Sequence, residues 1–320
     1  MKSPWCVWGL LLTVVGAGCA APPVRAALLP SPKMSTQTIR VQIGEQRNAV
    51  RAVNVEEYVR AAIISEFAPP DGDPALVGQM LQVQAVIART YALANRGRHA
   101  RQGFDLCSTT HCQLYEPSRL KTSRWAPLAV EAVKRTAGVV LWHGATPASA
   151  LFHSDCGGHT STSVAAWGGA VRPYLLAAPD DGPADEAHGS WTYAIETRAL
   201  QKVLNADPRT RVGAKLDGIT VLARDASGRA ERLALHGQRE RVVKGEEFRA
   251  IVARQLGPRA VKSTLFTVRR EGRTIVFAGR GFGHGVGLCQ VGALARLRAG
   301  AAPAEVLRRY YPGTTLRLAP

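Results

Sequence analysis

The sequence predicts an α+β protein in which mixed sheets surround a central helical pair. Three observations carry that reading. Short runs of alternating apolar residues, such as Ile39, Val41 and Ile43, read as strands. Between Asn54 and Ala94 the apolar residues recur at helical spacing on either side of a proline-containing corner. Near the C-terminus, Gly279, Gly281, Gly283, Gly285 and Gly287 alternate with other residues, a pattern that suits neither an ordinary helix nor a packed strand.

The chain has 320 residues, 46% hydrophobic and 20% charged. That is enough to bury one large core or two modest ones, and it lies far from the composition of a disordered chain. The net charge of +17 predicts a polyanionic partner without choosing among nucleic acid, anionic lipid, wall polymer and acidic glycan. The N-terminus narrows the choice. Lys2, an apolar run from Trp5 to Val15 and the small residues Gly16-Ala17-Gly18 predict an export signal over residues 1–26. The run is short for a membrane span. Gly16-Ala17-Gly18-Cys19 also fits a lipoprotein box, with Cys19 as the lipidated N-terminus; cleavage after Ala26 is the alternative. Either outcome puts the protein in the periplasm or cell envelope, touching membrane only through its signal or a lipid anchor. Nucleic acid is then not the partner of the charge. Residues 27–37 read as a flexible tether leading to a folded domain over 38–320.

The strand at Ile39–Ile43 is followed by Gly44 as a turn signal and by Val50–Val53 as its return partner. Asn54 is a good N-cap, with Glu57 three residues on as a capping box. Val55, Tyr58, Val59, Ala62 and Ile63 then mark one buried face, and Glu66 continues it. An acid at the end of an apolar stripe feels the negative helix end and partial burial, both of which raise its pKa, as a general acid near neutral pH requires. The alternative is a glutamate in the last turn that points to solvent. After Pro69-Pro70, Asp73-Pro74 starts a second helix whose low charge predicts a central position. Arg89 is its one internal base, and it either pairs with a carboxylate, Glu66 being a candidate, or reaches an anionic ligand.

EEYVRAAIISEFAP followed by LQVQAVIARTYALA resembles the SpoIID/LytB family. The resemblance implies a SpoIID-like fold and makes Glu66 the catalytic acid of a lytic transglycosylase.

The next segment, HARQGFDLCSTTHCQLY, brings His99, Cys107, His111 and Cys112 close in sequence. A zinc site, a Cys107–Cys112 disulfide and free thiols all remain open, and either bonded form is structural rather than catalytic. The resemblance adds a precedent for zinc held by Cys and His here, and CQLY matches the family's segment. Trp125 to Thr136 reads as an amphipathic helix, and VVLWHGATPASALFHS as an apolar hairpin delivering His153-Ser154-Asp155-Cys156-Gly157-Gly158-His159-Thr160. Cys156 or Ser154 as nucleophile, or histidines on a metal, are the readings this cluster invites. Neighbours in a strand point to opposite faces, so they do not all meet at one centre. Gly157-Gly158 instead reads as a tight turn open to a ligand. The resemblance makes Ser154, Gly157, Gly158 and Thr160 one wall of the substrate groove. Trp167 and Tyr174 would suit sugar stacking, with core packing as the alternative.

From 190 to 278 the pattern is a β-rich subdomain with one helix: hairpins about Ala226-Ser227-Gly228 and Glu271-Gly272, and a helix opening at Lys244. In GRGFGHGVGLCQVGALA a nucleotide loop is disfavoured, because no Lys-Ser/Thr follows the glycines. The stretch resembles the family's Gly-His-Gly-Val-Gly motif, which puts His284 and Gln290 at the substrate, His284 orienting it or Glu66. Cys156 and Cys289 stand where serine is commoner in the family, which suggests a disulfide between them.

By this resemblance the substrate is the peptidoglycan glycan strand, freed of its peptides, cut to a 1,6-anhydro end. One carboxylate suffices, since the sugar's own C6 hydroxyl attacks, whereas an ordinary glycosidase needs two. Asp155 is the candidate for a second acid. No cofactor is required for that chemistry, zinc being structural. The alternatives are a wall-binding enhancer of an N-acetylmuramoyl-L-alanine amidase, and a zinc hydrolase.

Overall fold

The protein is described by a computed structural model covering residues 29–44, 49–67, 72–180 and 189–319. The export signal, Cys19 and the Pro69-Pro70 corner lie outside these residues.

Strand β1 (Thr38–Gln42) pairs antiparallel with β2 (Val50–Asn54), Ile39 opposite Val53 and Val41 opposite Arg51. Ile39 and Val41 are the buried members, as the alternation requires. β2 runs directly into α1 (Val55–Glu66). Asn54 caps it by accepting the Glu56 N–H at 2.8 Å, so the expected box with Glu57 is replaced by a simpler side-chain cap. Val55, Tyr58, Val59, Ala62 and Ile63 are fully buried. α2 (Pro74–Ala94) begins at Asp73, whose side chain accepts the Ala75 N–H. It is the central helix, packed by α1, by α4 (Ala126–Arg135) and by β4 (Val139–His143). Between these lie β3 (Leu106–Cys107), parallel to β1, and the short α3 (Arg119–Thr122).

The expected hairpin after β4 is shorter than the sequence suggests. β5 (Thr146–Pro147) pairs with β4 for two residues only, and the chain then leaves the sheet. β6 (Phe152–His153) instead pairs in parallel with a strand near the C-terminus. After α5 (Ser163–Trp167) the chain builds a second core. This core holds β7 (Ser190–Glu196), α6 (Thr197–Asn205), the hairpin β8 (Leu216–Arg224) and β9 (Ala230–Gly237), β10 (Arg241–Lys244), α7 (Gly245–Leu256), and the hairpin β11 (Phe266–Glu271) and β12 (Thr274–Arg280). Two three-stranded sheets, ordered β10-β9-β8 and β11-β12-β7, share this core, with Trp191, Ile195, Phe248, Phe266, Ile275 and Phe277 inside. Two helices stand here where one was expected: α6 buries only Leu200, Val203 and Leu204, a short stripe that is easily read as strand.

The chain then returns to the first core. β13 (Leu288–Cys289) pairs with β6, α8 (Gln290–Arg298) and α9 (Pro303–Tyr310) pack on α2, and β14 (Thr315–Leu318) pairs antiparallel with β4. Val286, Leu288, Val306 and Tyr311 thus join Tyr58, Met80 and Ile87 in one cluster. The 190–280 region is inserted between two halves of that cluster.

Candidate active site

Glu66 is the last residue of α1. The helix stops there because Phe67 turns to extended backbone while its N–H still reaches the Ile63 carbonyl. The carboxyl is largely enclosed. Leu114 donates its main-chain N–H to Oε1 at 2.5 Å, and Oε2 has no hydrogen-bond partner among the described residues. Burial pushes the Glu66 pKa up from 4.5 to about 7, and the Leu114 bond only partly opposes it. The solvated alternative for Glu66 does not describe this side chain.

Two flanking segments hold it. Ser65 Oγ accepts the Glu116 N–H at 3.0 Å, and Tyr58 donates to Gln113 Oε1 at 2.9 Å with its ring stacked on Tyr115. The CQLY segment is therefore buttoned along the end of α1. From the other side, Gln290 donates Nε2–H to the Glu66 carbonyl at 3.3 Å. The sequence reading gave no role to the Leu114 amide, because a main-chain donor leaves no mark in residue type.

His99, Cys107, His111 and Cys112 come together, one donor atom from each lying within 4.8 Å of all the others. His99 Nε2 is 3.2 Å from Cys112 Sγ, and His111 Nδ1 is 3.7 Å from both sulfurs. Such separations suit the edges of a tetrahedron around one zinc ion, whose bonds run about 2.0–2.3 Å. The donors fit zinc, and the four of them would fill its tetrahedron and leave no position for a reactive water. Cys112 also begins the CQLY segment, so this cluster anchors the strand of chain that contacts Glu66.

Other predicted site residues divide. Arg89, expected at the substrate or on Glu66, is fully buried and forms a bidentate pair with Glu56, Nη2 to Oε2 at 2.6 Å and Nε to Oε1 at 2.9 Å. Its Nη1 also reaches the Val139 carbonyl. With no open surface it does not face a ligand. Tyr174 is buried, packs on His143 and accepts the Ser149 N–H through its hydroxyl, so its ring is not available for stacking. Trp167, in contrast, is 45% exposed and stands edge-on to His284 at 5.0 Å.

The Gly157-Gly158 turn has positive φ angles of 68° and 104°. Only Gly158 is open; Gly157 packs against the Arg280–Gly281 backbone. Ser154 is half-buried, its carbonyl receiving the Val291 N–H. Thr160 is buried and spends its hydroxyl on Leu176 and Ala178 main chain, so it does not face outward. Asp155 is buried too and accepts the Gly157 N–H within the turn, an arrangement that suits turn closure rather than a second acid. His284 Nδ1 accepts the Val286 N–H, and enclosure holds the imidazole down to about 4, neutral at ordinary pH. It stands beside Trp167 and, among the described residues, makes no hydrogen bond with Glu66. Gly285, with φ of 78°, lies flat against the Arg229 guanidinium, where any Cβ would collide.

Cys156 and Cys289 are neighbours but remain free thiols, contrary to the expected disulfide. The sulfurs have other duties: Cys289 Sγ caps α8 by accepting the Gly292 N–H, and Cys156 Sγ turns to Asp180 at 3.4 Å.

Fold and site together define a mixed α+β protein with an enclosed carboxyl at a helix end, reached by Gln290 from the chain that follows the glycine-rich loop. Residues 44–143 match the SpoIID family model, described as stage II sporulation protein. The chain thus carries a SpoIID family-model domain over those residues. Residues 185–287 match a second model, described as a domain of unknown function (DUF8618), which nearly coincides with the inserted core. The chain is 29% identical over 273 residues to an uncharacterized protein of Brachyspira hyodysenteriae, covering 83% of this chain and 67% of that one. It is 27% identical over 280 residues to stage II sporulation protein D of Bacillus subtilis, covering 84% and 76%. It is 26% identical over 285 residues to the amidase enhancer of the same species, covering 74% of this chain and 38% of that protein. Among the described residues no helix is long and apolar enough to cross a membrane.

Proposed function

We propose that this protein works on the cell wall outside the cytoplasm as a lytic transglycosylase, cutting peptidoglycan glycan strands to 1,6-anhydro ends. The observation that carries the reading is Glu66: one enclosed carboxyl with a pKa near 7, half its oxygens held by Leu114 and the other without a partner among the described residues. A neutral carboxylic acid at that pH can protonate a glycosidic oxygen. The resulting carboxylate then takes the proton of the C6 hydroxyl as that oxygen attacks C1. One residue thus serves both steps, which matches the absence, among the described residues, of a second carboxylate hydrogen-bonded into the same site. Exposed Trp167 beside His284 offers a stacking face for a sugar, and the +17 charge suits the lactyl carboxylates of peptide-free strands.

Zinc at His99, Cys107, His111 and Cys112 would be structural, fixing the CQLY segment against α1. A zinc hydrolase is disfavoured because the four donors close the ion's shell. The second reading, a wall-binding protein that stimulates an amidase, draws on the name of the amidase-enhancer relative. Incubation of purified protein with peptide-free glycan strands, followed by mass spectrometry, separates the two. Products lighter by one water than hydrolytic ends, lost in Glu66→Gln, support cleavage; binding without products supports the enhancer.

A further inference from the structure

His153, Cys156 and Cys289 place one ring nitrogen and two sulfurs within 4.8 Å of one another, and none of the three residues is more than 5% exposed. His153 Nδ1 lies 3.2 Å from the Val286 carbonyl, which fixes the ring proton there and leaves Nε2 as a lone pair. That Nε2 is buried and has no hydrogen-bond partner. An orphaned acceptor in a closed interior is costly unless something fills it. A carbonyl behind the far nitrogen of a histidine is also the usual outer support of a metal-bound imidazole.

The sulfurs are prepared in the same sense. Cys289 Sγ accepts N–H groups from Cys156 at 3.2 Å and Gly292 at 3.3 Å, and it stands at the N-terminus of α8. Cys156 Sγ accepts the Gly158 N–H at 3.3 Å. Main-chain N–H groups directed at a sulfur are the usual outer support of a metal-bound cysteine, while in the metal-free protein the neighbouring Cys156 sulfur and burial hold the Cys289 thiol well above its ordinary pKa.

We propose that His153, Cys156 and Cys289 form a second metal site, distinct from the His99 cluster, that takes a thiophilic cation of the zinc class. Soft sulfur donors with one imidazole select such ions over calcium or magnesium. Binding a divalent ion releases one proton from each thiol to solvent, so the filled site carries no net charge. Asp180, which meets Cys156 Sγ and is held by Tyr310 and Arg296, is the nearest further oxygen and lies outside the three-donor set. The ion would rivet the 153–160 turn and β6 to β13 and α8, directly behind Gln290, and its role is structural.

The test is metal stoichiometry on the purified, reduced, chelator-stripped chain titrated with zinc. Wild type is expected to bind one equivalent more than Cys156→Ser/Cys289→Ser, and His153→Gln is expected to weaken that equivalent at least tenfold. A separate variant, Cys107→Ser/Cys112→Ser, keeps the proposed site intact. It is expected to take one equivalent of cobalt(II) with a sulfur-to-metal absorption band. Equal stoichiometry in wild type and the Cys156/Cys289 variant, or no such band in the second variant, overturns the proposal. So does a Cys156–Cys289 peptide lighter by two hydrogens in protein purified without reductant, which would identify the pair as a disulfide.

Discussion

Gln290 and Glu66 are joined by one hydrogen bond, side-chain amide to main-chain carbonyl at 3.3 Å, across 224 residues of sequence. The bond ties the exit of the glycine-rich loop to the end of the helix that carries the acid. A bond of this kind contributes about 1 kcal/mol. Gln290→Ala is therefore expected to slow cleavage of peptide-free strands about fivefold, a loss read in kcat with little change in melting temperature.

Glu66→Gln should abolish cleavage, by about a hundredfold or more, while leaving glycan binding within twofold. Gln keeps an oxygen for the Leu114 N–H, so the fold is preserved. Pull-down on purified wall material beside the product assay checks both halves of this expectation.

The same substitution has a signed effect on stability. Glu66 holds its proton in the folded protein up to about 7, whereas the unfolded chain releases it near 4.5. Folding is thus progressively disfavoured as pH rises between those values, and the penalty is constant above them. Glu66→Gln should be more stable than wild type at pH 8, on the order of 1 kcal/mol after allowance for partial exposure, and equal to it near pH 4. Denaturant unfolding at the two pH values measures the difference.

For activity, the protonated form is the one that starts the reaction. kcat/KM should fall tenfold per pH unit above about 7, with no acidic limb from Glu66. A profile flat through pH 8 would remove Glu66 as the acid.

Arg89 and Glu56 are a buried pair binding α1 to α2 and, through the Gly138 N–H and Val139 carbonyl, to β4. Arg89→Met should cost about 3–5 kcal/mol by leaving Glu56 unpaired in the core. Adding Glu56→Leu should recover part of that loss, as seen in unfolding midpoints.

These residues also mark how far the sequence could be read. α1 and Glu66 were legible because a 3.6-residue stripe is a property of consecutive residues. Arg89 was legible as a base needing a partner, yet the partner sits 33 residues away on a crossing helix. No spacing rule reports which of several glutamates that crossing selects. Tyr174 and Trp167 lie in one segment and look alike as sugar platforms; only three-dimensional packing buries the first and exposes the second. The four Cys and His donors were close enough in sequence to be grouped, while the Leu114 amide has no signature in the amino-acid sequence at all.

The parallel pairing of β6 with β13 closes the first core with residues that follow the inserted lobe in the chain. A nascent chain therefore displays its glutamate long before the glycine loop, Gln290 and the closing strand exist. Until then the acid lacks one of its two flanking supports, and the inserted lobe has time to fold by itself. A chain ended before Leu288 would keep the inserted lobe and lose β13 and Gln290, so the Glu66 end of α1 would stand supported from one side only.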